Sequence, residues 1–130
     1  MKTLIAVITL ALTQAAFADI NWQTYSDNAL KVAQTNNQRV VLGFHKKGCG
    51  TCHAQDQSLE KAGIKNAKNV TFLKVQRKNS DHTKVYEKFG LSSRQWAAIV
   101  LLENKEEVAR VSPGITSGDQ ITNLVTKLKK

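Results

Sequence analysis

The most restrictive feature of the sequence is a short apolar run that leads into two closely spaced cysteines. Residues 39–44 (Arg-Val-Val-Leu-Gly-Phe) include adjacent β-branched side chains and almost no polar ones, which predicts a strand buried on both faces. A polar, glycine-containing stretch follows, then the motif Cys-Gly-Thr-Cys at residues 49–52. Residues 53–62 contain no helix breaker. The cysteines are therefore predicted to lie where a buried strand gives way to a helix.

Three further apolar runs predict strands, and these span residues 70–75, 97–102 and 107–111. Helices are predicted over residues 22–38, with an entry turn at the start of that segment, over residues 81–89 and over the C-terminal segment. The elements then follow the order helix, strand, helix, strand, helix, strand, strand, helix. A β-α-β unit followed by a β-hairpin and a closing helix predicts an α/β fold, in which a central mixed β-sheet carries helices on both faces.

Capping and turn residues support several of these boundaries. Ser26 is a candidate N-cap for the first helix, and Asn104-Lys105 is a candidate hairpin turn between the last two strands. Ser117 and Gln120 have the spacing of a capping box for the last helix. An apolar face with helical spacing follows that box, so we expect the helix to pack on the sheet.

The first eighteen residues have the three-part layout of a secretory signal peptide. Met1-Lys2 gives a positive start, residues 4–12 are apolar apart from one threonine, and residues 16–18 (Ala-Phe-Ala) have the pattern of a cleavage site. The apolar run is too short to span a bilayer. We expect residues 1–18 to be removed and residues 19–130 to form one periplasmic or secreted domain, without stable membrane insertion.

The charge balance restricts the partners of such a protein. The chain carries 19 Lys+Arg against 10 Asp+Glu, a formal charge of +9. An exported protein meets little nucleic acid, and the sequence has no nucleic-acid or phosphate-binding motif, so we expect no nucleic-acid partner. The basic side chains are expected to be solvated, and they can attract acidic clients or anionic membrane surfaces.

The position of the two cysteines predicts redox chemistry. Unpaired backbone N–H groups at a helix N-terminus point at Cys49 and stabilise its thiolate, and Lys46 and Lys47 add positive charge nearby. Cys52 lies one turn inside the helix, shielded but within reach, so Cys49 can attack a client sulfur and Cys52 can resolve the mixed disulfide. A purely structural disulfide is less consistent, because so small a loop adds little chain-entropy stabilisation. The other residues expected to tune the pair are Gly50, Thr51 and His53.

This segment resembles the core strand and redox motif of the thioredoxin family. Residues 40–44 (Val-Val-Leu-Gly-Phe) followed by Cys-Gly-Thr-Cys carry the resemblance, and further similar segments follow in the same order. These are residues 70–75, 86–91, 99–102 and 106–111, and Gly114. The resemblance extends from about Trp22 to the end of the chain. It is nearest to small periplasmic thioredoxin-like proteins and to the thioredoxin-like domain of thiol–disulfide interchange proteins.

The resemblance implies a thioredoxin-like fold and a thiol–disulfide oxidoreductase, with Cys49 as nucleophile and Cys52 as resolving residue. Client proteins with thiols or disulfides would be its substrates, and we expect a membrane reductase or oxidase to reset the pair. We expect a monomer that needs no cofactor and holds no metal. The dipeptide Gly50-Thr51 is compatible with either direction of electron flow.

Three positions depart from the family pattern. Ala97 stands at the position that matches the usual cis-proline, where a non-proline cis bond would cost about 2.5–4 kcal/mol. We therefore expect a trans peptide and a reshaped client groove, with Trp96 beside the cysteines as a client-binding residue. Gly43 replaces the buried acid six residues before the first cysteine, so deprotonation of Cys52 must rely on water or another base. Gly48 replaces the aromatic residue that usually precedes that cysteine.

Two other functions are compatible with the same residues. Cys-Gly-Thr-Cys-His also matches the c-type haem attachment motif, with His53 as the proximal ligand and His45 or His82 as the distal one. Alternatively, Cys49, Cys52, His53 and His45 could form a copper or zinc site. Small c-type cytochromes are mostly helical, which disfavours haem, and His82 is predicted to lie at the surface.

Overall fold

The computed structural model describes residues 20–76, 80–92 and 95–130, so the predicted signal peptide at residues 1–18 lies outside the described residues. The strands are Trp22–Thr24 (β1), Arg39–His45 (β2), Val70–Gln76 (β3), Ala98–Glu103 (β4) and Glu106–Val111 (β5). The helices are Asp27–Thr35 (α1), Gly50–Lys61 (α2), Ser80–Lys88 (α3) and Asp119–Leu128 (α4), with a short 3-10 helix at Ile64–Asn66.

The five strands form one mixed sheet in the order β1-β3-β2-β4-β5. β2 lies at its centre, parallel to β3 on one side and antiparallel to β4 on the other. β1 extends the parallel part, and β5 extends the antiparallel part as a hairpin with β4. The predicted α/β fold with a central mixed sheet is confirmed.

β2 occupies the centre because both of its faces are apolar. Val40, Leu42 and Phe44 face one core, which α1 and α3 cover. Val41 faces a second core, where α2 and α4 pack on the sheet. A strand buried on both faces needs a continuous apolar sequence, as found here. The carboxyl end of this strand leads straight to the two cysteines.

The hairpin turn and the N-cap of α1 are confirmed. The Ser26 side chain accepts a hydrogen bond from the Ala29 N–H at 2.9 Å. Asn104 and Lys105 both have left-handed φ angles, of 50° and 71°. Two left-handed central residues are the requirement of a type I′ turn, which matches the twist of a hairpin.

Two predicted boundaries are wrong. The predicted helix over residues 22–38 begins with a strand, because Trp22 pairs with Phe72 in the parallel ladder between β1 and β3. The capping box of the last helix does not form: α4 begins after Gly118, and no side chain caps it. Gln120 Oε1 instead accepts a hydrogen bond from the Ser112 N–H at 2.6 Å. In both places a contact with a residue outside the predicted helix overrides the local pattern.

His82 is buried rather than exposed, which corrects the sequence-based expectation. Its Nδ1 accepts a hydrogen bond from the Gln76 N–H at 2.9 Å, and its Nε2 lies 3.1 Å from the Tyr25 carbonyl oxygen. Because Nδ1 is an acceptor, the proton must be on Nε2, which donates to Tyr25. The imidazole thus links the end of β3 to the segment that follows β1.

Within the described residues, no helix is both long enough and apolar enough to cross a membrane.

Replacement of His82 by alanine is expected to lower the free energy of unfolding by about 2–4 kcal/mol, because two buried backbone groups lose their partner and a small cavity forms. Urea unfolding followed by circular dichroism measures the effect. The exposed His53 provides the matched control, and His53→Ala should change stability by less than about 0.5 kcal/mol. Equal effects of the two substitutions would contradict the bridging role of His82.

Candidate active site

Cys49 and Cys52 form a disulfide at the N-terminus of α2, with their Cα atoms 5.3 Å apart. Cys49 is the N-cap residue, and its sulfur accepts a hydrogen bond from the Cys52 N–H at 3.0 Å. Cys49 is partly exposed, whereas Cys52 is only 3% exposed. A client sulfur can therefore reach Cys49 but not Cys52. The division between an attacking and a resolving cysteine stays a prediction.

A tight turn between β2 and α2 sets this position. The Cys49 N–H donates to the Lys46 carbonyl oxygen at 3.1 Å. Gly48 lies in this turn with a φ of 74°, a conformation that other residues rarely adopt. The turn thus explains why a glycine, and not an aromatic residue, precedes the first cysteine.

Lys46 and Trp96 contact each other beside the disulfide. The Lys46 ammonium lies 4.1 Å from the centroid of the Trp96 ring, a cation–π geometry. Lys46 belongs to the turn before Cys49, and Trp96 to the segment before β4. The structure therefore brings a predicted tuning residue and a predicted client-binding residue together, which the sequence alone did not indicate.

The other predicted tuning residues surround the motif in different environments. Lys47, Gly50 and His53 are exposed, and Thr51 is partly buried in the first turn of α2. Each of these residues lies within four residues of a cysteine, and the structure shows only where they are located. Their effect on the redox pair stays a prediction.

Gln55 fixes the loop that faces the cysteines, and the sequence analysis missed it. Its buried amide nitrogen donates to the Ala97 carbonyl oxygen at 2.6 Å and to the Ile115 carbonyl oxygen at 2.7 Å. One side chain on α2 thereby holds two loops. A glutamine within a helix gives no local signal of this role, because both partners lie more than forty residues away.

His45 and Asp56 form a second polar pair near the motif. His45 ends β2 and Asp56 lies on α2, and His45 Nε2 is 3.4 Å from Asp56 Oδ1. That distance is within ion-pair range but is longer than an aligned hydrogen bond. The Asp56 side chain is only 17% exposed, although polar residues surround it in the sequence of the helix.

Comparisons with known proteins identify the fold. No family model matches the chain, and no curated protein shows significant similarity to it. Among solved structures, Trxlp from Edwardsiella tarda EIB202 is 27% identical with a TM-score of 0.64, over 85% of this chain and 100% of that one. A thioredoxin from Thermus thermophilus is 18% identical with a TM-score of 0.64, over 86% of each chain. Oxidised thioredoxin from Plasmodium falciparum is 19% identical with a TM-score of 0.61, over 85% of this chain and 99% of that one.

The chain has a thioredoxin fold. The predicted resemblance and fold class are thus confirmed, and a thioredoxin fold with a Cys-x-x-Cys disulfide supports thiol–disulfide oxidoreductase chemistry in general. The direction of that chemistry does not follow from the fold.

Ala97 lies in the thioredoxin fold at the loop facing the cysteines. It is buried, its φ is 59°, and no peptide among the described residues is cis. The Ala97 N–H donates to the Phe44 carbonyl oxygen at 2.8 Å, a bond that a proline could not make. The reshaped loop therefore replaces a proline ring with a backbone hydrogen bond to the end of β2.

Gly43 leaves no room for the family's buried acid. A Cβ atom at this position would lie 2.7 Å from the Trp22 ring and 2.9 Å from His45 Cε1. The two rings pack edge to face, with centroids 5.2 Å apart. The space beside the strand is thus filled by Trp22 and His45.

The structure does not assemble the residues required for the haem and metal alternatives. His53 is exposed, His45 faces Asp56, and His82 is bound to backbone groups elsewhere. Within the described ranges, no group of three or more His, Cys, Asp or Glu side chains is arranged to hold a metal ion. The four proposed ligands Cys49, Cys52, His53 and His45 therefore do not converge.

Replacing Ala97 with proline should destabilise the protein by about 3 kcal/mol or more, because proline cannot adopt a φ of 59° and has no N–H to donate to Phe44. Glycine at the same position adopts this φ freely and loses only one methyl group, so Ala97→Gly should stay within about 1 kcal/mol of the wild type. Thermal and urea unfolding compare the three proteins. A proline variant as stable as the wild type would contradict the loop geometry.

Proposed function

We propose that this protein is an exported thiol–disulfide oxidoreductase that exchanges disulfides with client proteins through Cys49 and Cys52. The observation that carries the proposal is the position of Cys49 as the partly exposed N-cap of α2. The hydrogen bond from the Cys52 N–H to the Cys49 sulfur is the kind of contact that stabilises a thiolate more than a thiol.

In the reducing direction, the Cys49 thiolate attacks one sulfur of a client disulfide and releases the other as a thiolate. This forms a mixed disulfide between Cys49 and the client. The Cys52 thiolate then attacks the Cys49 sulfur, the bond to the client breaks, and the internal disulfide remains. Two electrons pass from the protein to the client. The reverse sequence oxidises a client dithiol.

Trp96, Ala97 and Lys46 supply the client-facing surface in this proposal. Trp96 is partly buried and contacts Lys46 of the turn before Cys49, and the Ala97 backbone is fixed by Gln55 and Phe44. An extended client segment would pack on the Trp96 ring, while Lys46 and Lys47 attract acidic side chains near the client sulfur. A membrane reductase or oxidase would then reset the pair, and the protein would act as a monomer.

Export is part of the proposal because of residues 1–18, whose charge, apolar length and small residues have the layout of a signal peptide. An oxidising compartment would keep the cysteine pair available for exchange with other secreted proteins.

Serine substitutions at the two cysteines are expected to block different steps of the exchange reaction. Cys49→Ser should abolish reduction of an insulin disulfide, because no attacking sulfur remains. Cys52→Ser should still attack but accumulate a mixed disulfide, which non-reducing mass spectrometry detects as a covalent adduct. Turnover is measured with a chemical reductant in excess. A Cys49→Ser variant that works at the wild-type rate would disprove the nucleophile assignment.

Processing of the N-terminus tests export. Expression of the full chain in a Gram-negative bacterium should give a periplasmic form whose first residue is Asp19, measured by intact mass. Ile8→Arg places a charge within the apolar segment and should leave the full-length chain in the cytoplasm. Unprocessed wild-type protein in the cytoplasm would contradict the export proposal without affecting the thiol chemistry.

A further inference from the structure

Three buried polar atoms around the end of β2 lack a hydrogen-bond partner in the described part of the chain. They are Trp22 Nε1, His45 Nδ1 and Asp56 Oδ1. Buried polar groups are nearly always paired, so an unpaired histidine nitrogen and an unpaired carboxylate oxygen in one cluster call for an explanation. The mechanism proposed above leaves this cluster unused.

The cluster adjoins Cys52, the resolving cysteine. Asp56 follows Cys52 by one helical turn, which places both on the same face of α2 with their Cβ atoms about 5–6 Å apart. His45 follows Phe44, whose carbonyl oxygen lies 4.0 Å from the Cys52 sulfur. A side chain or one water molecule can span such distances in a proton transfer. Cys52 itself is too buried to lose its proton readily to bulk water.

The arrangement of His45 and Asp56 favours one tautomer of the imidazole. Asp56 Oδ1 faces Nε2 of His45 at 3.4 Å, which favours the proton on that nitrogen. Nδ1 then carries a free lone pair, and it is the nitrogen that has no partner among the described residues. The geometry is that of a base oriented by a carboxylate.

We propose that the His45–Asp56 pair is the proton acceptor for Cys52 when it resolves the mixed disulfide; this inference rests on the proposed thiol–disulfide exchange. The Cys52 thiol gives its proton to Nδ1 of His45. The resulting thiolate attacks the Cys49 sulfur, the bond between Cys49 and the client breaks, and the client leaves as a thiolate. The imidazolium then releases its proton to solvent or to the departing thiolate. His45 is the base, and Asp56 is the positioning residue.

The charges around the pair are consistent with this transfer. Before it, the buried site holds a neutral imidazole, the Asp56 carboxylate and the Cys52 thiol. After it, the site holds an imidazolium, the same carboxylate and a thiolate, so its net charge is unchanged. Asp56 stabilises the new imidazolium at short range.

Other groups face the pair from the neighbouring strands. The Trp22 ring of β1 packs on His45. Lys74 of β3 pairs with Gly43 in the ladder, and its ammonium lies 6.0 Å from the Trp22 ring centroid. Trp22 and Lys74 are therefore the groups that contact or approach the pair from β1 and β3.

A two-step thiol assay tests the inference. The reduced mature protein, residues 19–130, is mixed in a stopped-flow instrument with one equivalent of dithiobis(nitrobenzoate). One coloured thiolate is released when Cys49 attacks the reagent, and a second is released when Cys52 resolves the mixed disulfide. Asp56→Asn and His45→Gln should slow the second release by about tenfold or more at neutral pH and leave the first within about twofold. Glu60→Gln, one turn further along α2, is the matched control and should change neither step.

The pH profile separates a proton acceptor from a purely structural residue. In the wild type the second rate constant should depend only weakly on pH, whereas in Asp56→Asn and His45→Gln it should rise with hydroxide concentration. Unchanged second steps in both variants, or equal slowing of both steps, would overturn the inference. A wild-type protein without two-step release would instead refute the proposed exchange function itself.

Discussion

The hydrogen bond from the Cys52 N–H to the Cys49 sulfur links the local folding of α2 to the chemistry of the site. N-cap positions are usually filled by serine, threonine, aspartate or asparagine, whose oxygen accepts the N–H groups that begin the helix. Here a sulfur takes that place. Because the capping residue is also the more exposed of the two cysteines, one contact fixes both the start of the helix and the sulfur that we propose to be the nucleophile. The central strand and the glycine turn place this cap at the end of the sheet.

The departures from the usual thioredoxin pattern belong to one rearranged environment. The strand carries a glycine where the family has an acid, and the rings of Trp22 and His45 fill the space next to it. A partly buried carboxylate is still present, but it belongs to Asp56 of α2, four residues after Cys52, and it lies against His45. On the facing side, a left-handed alanine held by Gln55 replaces the proline. Backbone hydrogen bonds and buried polar side chains thus occupy the places that a proline ring and a strand acid have in the pattern that the chain resembles.

Local sequence patterns predicted most of the fold. Runs of neighbouring residues predict the buried central strand, the helix after the cysteines and the hairpin. The position of the two cysteines between the strand and the helix then predicts where the candidate site lies. What failed depended on contacts between distant segments. β1 exists because Trp22 pairs with Phe72, and His82 is buried because it bonds to Tyr25. Gln55 and Asp56 look like ordinary polar helix residues until their partners are known. Hydrophobic periodicity cannot predict such pairings, because it depends only on neighbouring residues and the partners are far away in the sequence.

The close packing at Gly43 constrains how this sequence can change over evolutionary time. Any side chain there would collide with two aromatic rings, so no single substitution can reintroduce an acid into the strand. A smaller side chain at position 22 and a displaced side chain at position 45 would be needed before a larger residue fits at position 43. Substitutions at these sites should therefore be strongly epistatic, with intermediates less fit than either end state. Each single substitution toward the usual arrangement of this site would therefore disrupt the packing around Gly43.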